Sequence, residues 1–118
     1  MTLEEKQLLI QDICSRLPYK PILINKDLNG GYPKKCFPGY IGFGRYIDSS
    51  NIEDTKIYLR PLNSMTEEEK EYVEELSTFK CTPDKATQKI DFYVSHHIDY
   101  RALIEKGLAL EAKEDMYK

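Results

Sequence analysis

The stretch Lys56-Ile-Tyr-Leu-Arg-Pro-Leu-Asn-Ser-Met-Thr-Glu-Glu-Glu69 changes character partway along. Before Pro61, Ile57 and Leu59 alternate with Lys56, Tyr58 and Arg60, a period of two that separates side chains onto opposite faces of a sheet. Proline has no amide with which to continue a central ladder, so the strand closes there. Further on, Thr66 and Glu69 have the spacing of a capping box, and Glu67 and Glu68 lie where a helix dipole favours negative charge. A strand followed at once by a helix start sets the expectation of an α+β fold.

Upstream, Tyr40 to Ile47 also alternates, with Ile41, Phe43 and Ile47 against Tyr40, Gly42, Gly44 and Tyr46, and reads as a second strand bent by its glycines. Ile22-Leu-Ile24, between Pro21 and the turn-rich Asn25 to Gly31, reads as another. Tyr32 to Gly39, with Pro33, Pro38 and Gly39, is expected to be irregular and exposed. At the N-terminus, Thr2 and Glu5 repeat the capping box and predict a helix from Leu3 to Arg16. Leu3, Ile10, Ile13, Cys14 and Leu17 form its apolar stripe, Gln7, Gln11 and Asp12 face water, and Pro18 ends it.

Downstream, the helix opened by Thr66 buries Tyr72, Val73, Leu76 and Phe79, and a third helix after Pro83 and Asp84 groups Ala86, Ile90, Tyr93, Val94 and His97. Asp99 caps a fourth, short helix that ends at Gly107, where Leu103 and Leu108 have the spacing of a Schellman contact. The predicted order is αβββααα. It implies a small antiparallel three-stranded sheet covered on one face by the N-terminal helix and the C-terminal helices. Residues 1–112 form one domain on this reading, and 113–118 a charged tail that frays.

A chain of 118 residues fits a single domain, and its 41% hydrophobic and 31% charged residues suit a folded chain. Cys14, Cys36 and Cys81 are odd in number and match no CxxC spacing, so they read as reduced thiols. The acidic start and the lack of a long apolar run argue for a cytoplasmic protein without a membrane segment. A net charge of −3 gives no general attraction to nucleic acid.

Three blocks, Met1 to Tyr19, Tyr58 to Glu69 and His96 to Ala112, together resemble a family of short uncharacterised proteins from gut bacteria and their phages or mobile elements. The resemblance implies an intracellular setting and carries no catalytic residues. The chain departs from the family pattern between Tyr19 and Thr55 and at Lys113, where relatives tend to have proline, which implies an individual partner specificity.

The only ring nitrogens are in His96 and His97, near Asp99 and Tyr100. Adjacent helical residues project about 100° apart, so a structural role is favoured over a shared metal, with His97 on the apolar face. Gly39, Gly42 and Gly44 match neither a dinucleotide nor a Walker spacing. Cys14 reads as core, and Cys36, after Lys34 and Lys35, as the more exposed thiol. Six glutamates between Glu67 and Glu75 against Lys70 read as a solvated helix face or as an anionic contact for a basic partner.

Leu28 to Ile47 contains no acid and interleaves Lys34, Lys35 and Arg45 with Tyr32, Phe37, Tyr40, Phe43 and Tyr46. Aromatic residues and arginine anchor interfaces. The leading expectation is therefore a non-enzymatic protein-binding protein, of phage or mobile-element origin, whose surface comprises Tyr32, Lys34, Lys35, Phe37, Tyr40, Arg45 and Tyr46. No cofactor or metal is expected. Weak single-stranded nucleic-acid binding by the same segment is a second reading, and a small hydrolase or nuclease using His96, His97 and Asp99 a third.

Overall fold

The structure, a computed structural model, describes residues 1–77, 82–113 and 115–117. Helix α1 spans Leu3–Arg16 and opens on the expected capping box, with Glu5 N donating to Thr2 Oγ1 and Thr2 N to Glu5 Oε1. Strands β1 (Ile22–Asn25), β2 (Lys34–Lys35), β3 (Thr55–Leu59) and β4 (Ala109–Glu111) form one sheet in the order β2-β1-β3-β4. Helix α2 (Phe43–Ile47) precedes β3, while α3 (Glu67–Leu76) and α4 (Pro83–Ser95) lie between β3 and β4. The α+β class holds.

The sheet is mixed and four-stranded, where three antiparallel strands were expected. β1 runs antiparallel to β2 and to β3, with Leu23 opposite Ile57, whereas β3 and β4 are parallel, with Ile57 opposite Ala109. Parallel neighbours need a long crossover, and here α3 and α4 lie in it. Tyr40–Ile47, expected as a strand, form a turn and α2 instead: Tyr46 in α2 faces inward, and Ile41 in the turn before it faces outward.

The main core gathers Leu9 and Ile13 of α1, the sheet residues Leu23, Ile57, Leu59 and Ala109, and Leu28, Cys36, Tyr46, Ile52, Leu103 and Leu108 from the connections. No residue of α3 or α4 belongs to that cluster; Val73, Leu76 and Val94 are buried apart from it. Helix α3 packs against α4, and α4 against α1.

Asp12, expected to face water, is fully buried with Arg16. Arg16 Nε and Nη2 donate to the two Asp12 carboxylate oxygens at 3.0 and 3.2 Å, and Nη2 also reaches the Ile98 carbonyl at 2.7 Å. The buried guanidinium satisfies the carboxylate and the backbone at the end of α4 together, which is what makes burying the pair tolerable. Burial raises the Asp12 pKa, opposed by Arg16 and Arg101. On α1, Leu3 and Cys14 are exposed, so neither is the core residue expected.

Helix α4 closes with Ile98 N donating to Tyr93 O and His97 N to Val94 O, a Schellman cap that puts His97 at φ +58. The predicted fourth helix is instead a turn, because Ala102 at φ +57 interrupts it. Its end contacts are present: Leu108 N bonds Leu103 O, Gly107 N bonds Ile104 O, and Gly107 adopts φ +74. Near the C-terminus, Tyr117 is held against the sheet. The Tyr117 hydroxyl donates to Tyr58 O at 2.6 Å and accepts from Ile22 N at 2.8 Å, bridging β1 and β3 one residue beyond their paired registers.

Candidate functional site

The acid-free segment is held by the sheet edge. Lys34 and Lys35 form β2, the outer strand, where charged side chains also discourage pairing with another sheet. Cys36 then turns inward and is fully buried, so the expectation of an exposed thiol is corrected; burial pushes its pKa up to about 11, with Lys34 opposing. A buried thiol held protonated is a poor nucleophile.

Beyond Cys36 the chain doubles back. The Tyr40 ring folds over Gly42, where a Cβ would lie 2.6 Å from the phenol Cζ, so a larger residue there would push the ring aside. That ring lies 5.4 Å from Phe37 and carries Lys34 Nζ at 4.7 Å from its centroid. Arg45 is exposed close by, lining a small dimple with Tyr40. Tyr32 is 73% exposed, Phe37 and Lys35 are exposed, and Ile41 at 97% stands almost wholly in water.

Tyr46 departs from this set. It is 1% exposed, Asn29 Nδ2 donates to its hydroxyl at 2.9 Å, and its carbonyl accepts from Thr55 Oγ1. It is a core residue and cannot be a surface anchor. Ile41, expected on one face of a strand with Phe43 and Ile47, stands instead in a turn ahead of α2.

The histidine cluster is dispersed into separate structural tasks. His96 Nδ1 lies 3.0 Å from the Phe92 carbonyl and its ring stacks on Phe92 at 4.2 Å. His97 is buried and stacked on Tyr117 at 3.7 Å, with Nδ1 lacking a partner. Burial, reinforced by Arg16 and opposed by a backbone hydrogen bond at Tyr19, pushes its pKa down to about 4. Both Asp99 oxygens accept backbone amides, from Leu103 and Ile104. Asp99 therefore orients neither ring, and the arrangement offers no base–orienter pair of the kind acyl or phosphoryl transfer uses.

Neither a protein-family model, a curated protein nor a solved structure matches the chain.

Other concave places, among the described residues, lie away from this segment. A polar cleft of about 470 Å³ is lined by Arg60, Thr66, Glu69, Glu111, Lys113 and Tyr117. Its central charges are already matched: Arg60 grips both Glu69 oxygens at 2.8 and 3.1 Å, and Glu69 also accepts from Thr66 N. The Arg60 hydrogen bonds, outweighing desolvation, hold the Glu69 pKa down at about 2. A groove of about 400 Å³ runs beside α4 between Tyr19, Tyr72, Phe92 and His96. Tyr72 had been read as buried and is 42% exposed; Phe79, read with it, lies outside the described residues.

Among the described residues no helix is long and apolar enough to cross a membrane, and no group of three or more His, Cys, Asp or Glu could hold a metal ion.

Proposed function

We propose that this chain is a non-enzymatic binding protein that docks on an anionic surface of a protein partner through Tyr32, Lys34, Lys35, Phe37, Tyr40, Ile41 and Arg45. The observation that carries the reading is the partly exposed cluster in which Lys34 lies over Tyr40 and Tyr40 packs on Phe37, with Ile41 in water nearby and no acid from residue 28 to 47. Aromatic faces supply contact area with little loss of freedom, isoleucine supplies apolar area, and the cations select a partner of opposite charge. The resemblance of three blocks to short proteins of gut bacteria and their phages or mobile elements supports a setting in which a small protein acts by occupying a host or phage surface.

The test is affinity purification of the tagged chain from its host, with and without nuclease, beside a variant carrying Tyr32→Ala, Phe37→Ala, Ile41→Ser and Arg45→Ala. All four changes are at exposed positions, so folding is retained. A stoichiometric, nuclease-resistant protein that the variant fails to recover supports the reading. Equal recovery by the variant overturns the surface, and recovery that nuclease abolishes assigns the cations to single-stranded nucleic acid instead.

A further inference from the structure

Helices α3 and α4 present an aromatic groove that the rim reading leaves unused. The Phe92 ring lies 5.0 Å from the tilted ring of Tyr72 and stacks on His96 at 4.2 Å, and Tyr19 lines the groove with them. Tyr19 and Tyr72 are each more than two-fifths exposed, so apolar ring surface faces water here.

Acid surrounds these rings. Asp91 lines the groove itself. On α3, Glu68 precedes Tyr72 and Glu75 follows it by one helical turn on the same face. From residue 67 to 95 the sequence has eight acids against four lysines, while the 28–47 segment has three cations and no acid. The charge of the whole chain therefore hides two segments of opposite sign.

We infer that the groove between Tyr19, Tyr72, Phe92 and His96 is a second docking site, for an arginine-bearing basic peptide segment of a protein partner. Guanidinium is the cation that suits it, because its plane stacks on aromatic rings while its fork pairs with a carboxylate such as Asp91. A volume of about 400 Å³ accommodates one or two side chains rather than a folded element. The flanking glutamates then attract the rest of a basic segment over longer range, which makes the contact salt-dependent.

The experiment is a titration of ¹⁵N-labelled full-length chain with a short arginine–glycine peptide and, separately, with its glutamate–glycine counterpart at low salt. The expected result is saturable shifts centred on Tyr72, Asp91, Phe92 and His96 with the arginine peptide alone, and a roughly tenfold weaker affinity for Tyr72→Ala and for Glu68→Lys with Asp91→Lys. All three positions are exposed, and the spectrum of each variant reports its fold directly. Absence of saturable shifts, shifts scattered over the acidic surface, or variants that bind as well as the parent would each overturn the inference. So would concentration-dependent shifts at these residues without peptide that vanish in Lys34→Glu with Lys35→Glu, since the occupant would then be a second copy of the chain.

Discussion

The segment from Leu28 to Ile47 and the α3–α4 hairpin carry similar numbers of aromatic residues, yet they use them in opposite ways. The first lacks helical periodicity, and it sends Tyr46, Cys36 and part of Tyr40 and Phe43 into the main core. The second has clear helical periodicity, and it leaves Tyr72 at 42% and Ile90 at 48% exposed. Periodicity identifies which face of an element is apolar but not whether another layer covers it. The sheet and α1 close over the irregular segment, whereas α3 and α4 present a wider apolar face than they cover on each other.

Tyr46→Ala should break this contrast most sharply. It empties a fully buried aromatic site and orphans Asn29, and a loss of about 4 kcal/mol in urea unfolding is expected. A loss under about 1 kcal/mol, the range of exposed positions, would mean that the segment is not part of the core.

Arg16→Ala comes next, because it cuts the tie between α1, part of the main core, and the end of α4. The guanidinium joins Asp12 to carbonyls at Tyr93 and Ile98, and without it a buried carboxylate is left with Arg101 at 3.6 Å and the like charge of Asp99. Destabilisation of about 3 kcal/mol is expected. Hydrogen exchange should show α3 and α4 amides exposed well before those of β1 and β3. Uniform acceleration through both regions would show instead that they open as one unit.

These two residues also mark how far the sequence could be read. The three long helices were legible because Thr2, Thr66 and the Pro83 start announce themselves locally, and β1 and β3 because short apolar runs end at turn residues. Asp12 was not, since an i,i+4 Asp–Arg pair has the same spacing whether solvated or buried. Strand β4 was hidden for another reason: Ala109–Glu111 carries no alternation long enough to register, and its pairing with β3 is set by the helices between them. In the candidate site the exposed cations were legible, whereas the burial of Tyr46 depends on Asn29 and Thr55, partners distant in sequence that no local pattern marks.

Acid should separate the regions more gently. His97 has its pKa depressed from 6.5 to about 4, so the unfolded chain takes up the proton first, and stability present at neutral pH is lost as pH falls between those values. Glu69, depressed from 4.5 to about 2, adds a second loss over that lower window. Both residues lie at the ends of the hairpin region, Glu69 held by Arg60 and His97 stacked on Tyr117. His97→Asn keeps a residue tolerant of positive φ and should flatten the upper window while leaving the lower one. Urea midpoints measured across both windows check this, and an unchanged upper slope would assign that titration elsewhere.

The smallest expected effect is the most telling for function. Ile41→Ser removes an apolar side chain that touches almost nothing, so stability should change by less than about 0.5 kcal/mol. Tyr72→Ala, which also gives up the ring contact with Phe92, should cost about 1 kcal/mol. If either substitution instead unfolds the chain, the exposed side chain was supporting the fold and the surface argument for that region falls. If both variants fold normally, exposure of Ile41 and Tyr72 has no structural return, and selective loss of partner capture by the first and of arginine-peptide binding by the second would separate the two surfaces by what each one binds.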